Sequence, residues 1–104
     1  MDVQLKKGVI ELVILKMLNK QDMYGYEINN QINTRLEINK STVYAILQKL
    51  IINNYCEIFI GELSDGPIRK YYRLTEKGRA YLENLEGEWK KFMHKVQDLL
   101  KCDY

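Results

Sequence analysis

The sequence predicts a mostly helical α+β fold that ends in a long helix, on three observations. Four stretches read as helices, at about residues 9–18, 24–36, 43–52 and 75–101. Two strand-like segments, 55–60 and 68–74, flank a Ser64-Asp65-Gly66-Pro67 turn. The last stretch carries an apolar seam along its length. A helix followed by a hairpin with a basic second strand is the order of a winged helix-turn-helix. The predicted organisation is therefore a winged unit over residues 1–74, with the wing at about 55–74, and a dimerisation helix over 75–104.

The bulk properties fit that reading. A chain of 104 residues has room for one domain and a modest core, so a second copy is expected to help stabilise it. With 46% hydrophobic and 29% charged residues it is expected to fold and not to be disordered. The net charge of +2 is too small to argue for nucleic acid by itself. Its placement adds weak support: residues 39–73 carry five basic and three acidic side chains, and the flanking segments balance. Cys56 and Cys102 share no metal-ligand spacing, His94 is the only histidine, and no cofactor or metal is expected. Cys56 reads as a small core residue and Cys102 as an exposed thiol, which suits a reducing cytoplasm. No signal peptide and no bilayer-spanning run are seen, so a cytoplasmic protein without a membrane partner is expected.

In chain order, residues 9–18 are apolar on nearly all sides, so this helix is expected to be buried on more than one face. Lys20-Gln21-Asp22 reads as its exit loop. The second helix places Ile28, Ile32 and Leu36 on one row. Gly25 near its start costs helix stability, and close packing is the favoured reason for it. At about 100° per residue, the third helix puts Val43, Ile46, Leu47 and Leu50 on one face. Ser41, Ala45, Gln48, Lys49 and Ile52 lie opposite, with Thr42 and Tyr44 at the edges. That face suits a DNA major groove. It also suits an ordinary solvated surface, which is the better reading from this helix alone. Asn39 is the expected N-cap, with Ser41 as alternative. Asn53-Asn54 is expected to end the helix in a left-handed turn.

In the hairpin, Arg69, Lys70 and Arg73 form a candidate phosphate clamp; the alternative is edge charge that blocks strand aggregation. In the last helix, Leu82, Leu85, Trp89, Phe92, Val96 and Leu99 follow 3-4-3-4-3 spacing, with Met93 and Leu100 widening the seam. Pairing with a second copy is expected, and packing on the chain's own core is the alternative.

These segments together resemble the PadR family of bacterial transcriptional regulators. Tyr24-Gly25-Tyr26-Glu27-Ile28 after residues 12–18 is similar to the family's opening signature. Thr42-Val43-Tyr44 with Leu47 and Leu50 resembles its recognition-helix motif. The run Arg69 to Gly78 resembles its wing-to-helix motif almost residue for residue. Tyr24 stands where a histidine is common, Ser41 and Asn54 where glycines are common, and Ile68 removes one potential wing charge. The resemblance implies a homodimeric repressor on a pseudo-palindromic double-stranded operator. Lys40, Ser41, Thr42, Tyr44, Gln48, Lys49, Arg69, Lys70 and Tyr24 are then the DNA-binding candidates. Trp89 is placed similarly to a drug-stacking tryptophan in the family's lactococcal multidrug-responsive member. That makes Trp89, Phe92 and Met93 candidate ligand residues for a small aromatic effector; plain filling of the interface is the even alternative. A protein-interaction module that does not read DNA is the competing function. Enzyme chemistry has no support, since His94 has no paired nucleophile.

Overall fold

The computed structural model describes residues 3–61 and 69–101. The expected Ser64–Pro67 turn, Ile68 and Cys102 lie outside the described residues. The elements run α1 (Val3–Lys20), β1 (Met23–Tyr24), α2 (Gly25–Leu36), α3 (Lys40–Ile52), β2 (Cys56–Gly61), β3 (Arg69–Leu74) and α4 (Glu76–Lys101). The three strands form one antiparallel sheet in the order β1-β3-β2. Cys56 pairs with Leu74 and Gly61 with Arg69, while Met23 and Tyr24 pair with Tyr72 and Tyr71. β1 was not expected, because two residues carry no alternation that a sequence pattern could register.

The core follows the helical rows. α1 buries Ile10, Ile14, Leu15 and Leu18; α2 buries Ile28 and Ile32; α3 buries Val43, Ile46, Leu47 and Leu50. Met23, Cys56 and Leu74 close it from the sheet side. Leu36, expected to continue the α2 row, is exposed and Ile38 is buried in its stead. The backbone explains the switch. Glu37 adopts a left-handed turn (φ 51°), its N–H bonds to the Asn33 carbonyl, and the chain is redirected before the row can continue.

The ends of α3 match their residue chemistry. Asn39 is the N-cap residue by position, but its side chain makes no capping bond. Its carbonyl accepts from Thr42 at 3.0 Å. Asn54 takes the left-handed conformation (φ 62°), and the Tyr55 N–H bonds to the Leu50 carbonyl at 2.9 Å. This turn aims the chain into β2.

Thr75 joins the wing to α4. Its hydroxyl donates to the Asn54 carbonyl at 2.7 Å and accepts from the Gly78 N–H at 2.9 Å. Its own N–H donates to the Tyr55 carbonyl at 3.0 Å. Thr75 is thus a side-chain N-cap, Glu76 supplies first-turn negative charge, and Gly78 lets the helix lie directly on Tyr55.

The start of α4 belongs to the chain's own core, which corrects the expected place of Leu82 in a pairing seam. Leu82 is only 2% exposed within that core, and Leu85 is half-buried against it. Contacts between α1 and α4 fix this arrangement: Lys16 to Glu86 at 2.9 Å, Arg79 to Asn19 at 3.2 Å and Tyr81 to Glu11 at 2.9 Å. Farther along, Phe92 and Leu99 are about 60% exposed, and Trp89, Met93 and Val96 are half-buried. The radius of gyration, 15.8 Å, exceeds the roughly 13 Å of a globule this long, because α4 runs past the body. At 1.5 Å per residue its 26 residues span about 39 Å.

Candidate nucleic-acid interface

Helix α3 presents the face that its periodicity implies. Lys40, Ser41, Ala45, Gln48, Lys49 and Ile52 are exposed, and Thr42 and Tyr44 are half-buried at the edges. A cleft flanks each side of this face.

The cleft toward the wing has a volume of about 550 Å³ and is lined by Tyr24, Gly25, Tyr26, Tyr44, Arg69, Lys70 and Tyr72. Four of the residues expected from the sequence to touch DNA meet here: Tyr24, Tyr44, Arg69 and Lys70. They come from β1, α3 and β3. The Arg69 guanidinium sits 4.4 Å from the centre of the Tyr24 ring. Tyr24 stacks on Tyr26 at 6.1 Å and meets the edge of Tyr71 at 5.8 Å. The Lys40 ammonium lies 5.8 Å from the Tyr44 ring, at the α3 N-terminus.

Gly25 makes the cleft possible. A methyl group there would come within 3.0 Å of the Tyr44 ring and 3.1 Å of its hydroxyl oxygen. Tyr44 therefore rests on bare backbone at the first turn of α2, where the helix dipole favours negative charge. Two cations, tyrosine hydroxyls and a helix N-terminus around one concavity suit a backbone phosphate. Burial chiefly, then Tyr44 and Cys56, raise the Tyr72 pKa, so this phenol stays neutral.

The opposite cleft, of about 630 Å³, is lined by Gly8, Glu11, Ser41, Thr42, Ala45, Ile46 and Lys49. Ser41, Thr42 and Lys49 were expected at the DNA; Glu11 was not. Lys49 Nζ lies 3.5 Å from Glu11 Oε2. Gln48 lines neither cleft and stands on the open face between them.

Arg73 departs from expectation. It was read as a third member of the wing clamp, but its guanidinium donates twice to Asp22 Oδ2, at 3.0 and 3.2 Å, and covers the Phe59 ring at 4.3 Å. Bonding to Asp22 raises its pKa above the ordinary value. Arg73 fastens the base of the wing to the α1–β1 turn, and Asp22 neutralises it.

Other chemistry is thin. Burial pushes the Cys56 thiol up to about 12, so it behaves as a small apolar core residue. Among the described residues no group of His, Cys, Asp or Glu could hold a metal, and no helix is long and apolar enough to cross a membrane. On α4, Glu86 is held by Lys16 and Lys90, and both bonds lower its pKa. Its charge is therefore already matched; Asp98 lies 3.6 Å from His94 Nε2, and Glu88 is the acid next to Trp89 in the chain.

Tyr26, Tyr72 and Glu11 are the site residues that sequence reasoning missed. Tyr26 carried a signal, since it flanks Gly25 symmetrically with Tyr24. Tyr72 became visible only through strand register. Glu11 sits in an apolar run, and nothing in that run says what it faces.

Comparison with known proteins agrees with the geometry. The model of the PadR-like family of transcriptional regulators matches residues 14–84. A protein of Lysinibacillus sphaericus, named only as uncharacterised protein X, is 40% identical over 87 residues, covering 80% of each chain. A PadR-like transcriptional regulator from Bacillus cereus superposes with a TM-score of 0.88 at 30% identity, over 96% of this chain and 99% of that one. A PadR family regulator from Clostridium difficile gives 0.76 at 35% identity, over 88% and 96%. This chain therefore belongs to the PadR-like family, whose members are DNA-binding transcriptional regulators and not enzymes.

Proposed function

We propose that this chain acts as a homodimeric repressor. Its two α3 helices enter successive major grooves of a pseudo-palindromic operator, about 34–36 Å apart. Residues 1–74 read DNA and residues 75–104 pair the copies. The observation that carries the DNA reading is the meeting of Tyr24, Tyr44, Arg69 and Lys70 in one concavity beside the open face of α3. Arg69 and Lys70 hold phosphates from the wing. Ser41, Thr42, Gln48 and Lys49 face base edges, and Lys40 and Tyr44 anchor the helix N-terminus.

Pairing rests on the outer part of α4. Trp89, Phe92, Val96 and Leu99 keep the seam spacing there, and Phe92 and Leu99 remain exposed. Leu85 can contribute its uncovered half.

The test is fluorescence anisotropy with duplex from the chain's own promoter region and a scrambled control, across salt concentrations. Promoter-selective binding that weakens with salt is expected. Removing two phosphate contacts in Arg69→Ala/Lys70→Ala should flatten the log–log salt slope by about 1.8. Equal, feeble binding to both duplexes would favour a protein-interaction module.

A second reading concerns regulation. Trp89, Phe92 and Met93 lie together on the outer part of α4, where a flat aromatic cation can stack and release the DNA. Quenching of Trp89 with unchanged DNA affinity at saturation would sink this reading.

A further inference from the structure

Lys49 stands at the edge of the exposed α3 face, with its side chain 61% exposed. It is not an unencumbered cation, because Glu11 Oε2 lies 3.5 Å from its ammonium. Glu11 belongs to α1 and is only 13% exposed. Its other oxygen accepts a 2.9 Å hydrogen bond from the Tyr81 hydroxyl of α4. The Tyr81 ring is fixed in turn, stacked on Tyr55 at 4.0 Å with the planes 3° apart. The carboxylate is therefore held from behind, and the long, exposed lysine is the member that can swing.

An acid in the wall of a groove meant for a polyanion costs affinity. A pair of this length whose lysine is mostly in water contributes little to stability. Its effect on DNA binding is larger, since each cation kept from phosphate removes one released counterion from the sequence-independent part of binding.

We propose that Glu11 is a specificity-determining positioning residue, which keeps Lys49 from general phosphate contact and yields it to a base-edge acceptor such as guanine O6 or N7. The inference rests on the DNA-binding reading of the α3 face. Lysine is a ready partner for that guanine edge. When Lys49 leaves, Tyr81 still holds Oε1 of the carboxylate, and Oε2 faces the open cleft, where water can take the lysine's place. The Tyr81 pKa, pushed up to about 12 by burial and by Glu11, keeps that donor proton in place at neutral pH.

The test uses the full chain and anisotropy titrations on promoter-region and scrambled duplexes across salt. Wild type is compared with Glu11→Gln, Lys49→Ala and the double variant. Glutamine keeps an acceptor for Tyr81 and removes the charge. Glu11→Gln is expected to bind the scrambled duplex more tightly and to narrow the promoter-to-scrambled ratio. Its salt slope should steepen by about 0.9, which shrinks its advantage about 3.5-fold between 50 and 200 mM salt. The gain should vanish in Glu11→Gln/Lys49→Ala. Tyr81→Phe keeps the ring stacked on Tyr55 and should narrow the ratio in the same direction, so it carries the test if Glu11→Gln fails to fold. A wild-type ratio and slope in Glu11→Gln, or a gain that survives loss of Lys49, overturns the role of Glu11 alone. A wild type that does not distinguish the two duplexes overturns the DNA-binding reading with it.

Discussion

Gly78 offers a sharp test of how the wing and α4 are joined. It is the third residue of α4, and a methyl group built there would overlap the Tyr55 carbonyl oxygen and come within 2.8 Å of Leu74 Cδ1. The leucine can rotate; the carbonyl is backbone. Relieving the overlap must lift α4 from residues 54–55. That strains two bonds, Thr75 N–H to Tyr55 at 3.0 Å and the Thr75 hydroxyl to Asn54 at 2.7 Å. Overpacking of this kind costs roughly 1–3 kcal/mol and each weakened bond about 1 kcal/mol. Alanine's helix preference returns about 1 kcal/mol. Gly78→Ala should therefore destabilise the protein by about 2–4 kcal/mol, a loss of roughly 10–30 °C in Tm at this size. Gly8, also within a helix, has nothing within 4 Å of its methyl position, so Gly8→Ala should be neutral or stabilising by up to about 1 kcal/mol. Urea titrations followed by circular dichroism, at one fixed protein concentration, give both midpoints and slopes. A Gly78→Ala midpoint at or above wild type would refute the reasoning.

Four further expectations follow from the geometry. Gly25→Ala should displace the Tyr44 ring and weaken promoter binding several-fold while changing stability by less than about 1 kcal/mol; unchanged affinity in the anisotropy assay would detach Tyr44 from the interface. Glu37→Gly should relieve a left-handed residue and stabilise by about 0.5–1 kcal/mol, read as a higher urea midpoint with the same slope. Tyr81 ionises near 10 when unfolded and at about 12 when folded, so the unfolded chain loses its proton first and stability falls as pH rises from 10 to 12. Tyr81→Phe should flatten that fall, and an identical fall in the variant would assign it elsewhere. Leu99→Glu should convert dimer to monomer in sedimentation equilibrium with the helical spectrum kept, and a variant that stays dimeric would remove the outer part of α4 from the interface.

Much of the fold is legible in the sequence. The α3 core row, the left-handed Asn54 and the paired wing strands are local, and each is written in contiguous residues. What escaped reading depends on residues far apart in the chain. β1 exists because Met23 and Tyr24 meet Tyr72 and Tyr71, some 47–49 positions away, so two residues suffice without a pattern of their own. Leu82 keeps perfect seam spacing, yet α1 covers it, and spacing alone cannot say which partner does the covering. Arg73 looked like its neighbours Arg69 and Lys70 until Asp22 was found beside it. Periodicity showed which side of α3 is open; only the tertiary fold showed that Tyr24, Tyr26, Tyr44 and Tyr72 line one wall and that an acid stands in the other.

The Thr75 junction also has a mechanical meaning. One residue grips the end of α3 through the Asn54 carbonyl, the start of β2 through the Tyr55 carbonyl, and the first turn of α4 through Gly78. The junction sets the direction of α4, α1 clamps the helix as far as Glu86, and residues 87–101 are left as an arm of about 22 Å. A tilt of 5° at the root of that arm sweeps its tip through about 2 Å by simple arc length. Read the other way, the arm gears down: an ångström of displacement at the tip turns its root by less than about 3°.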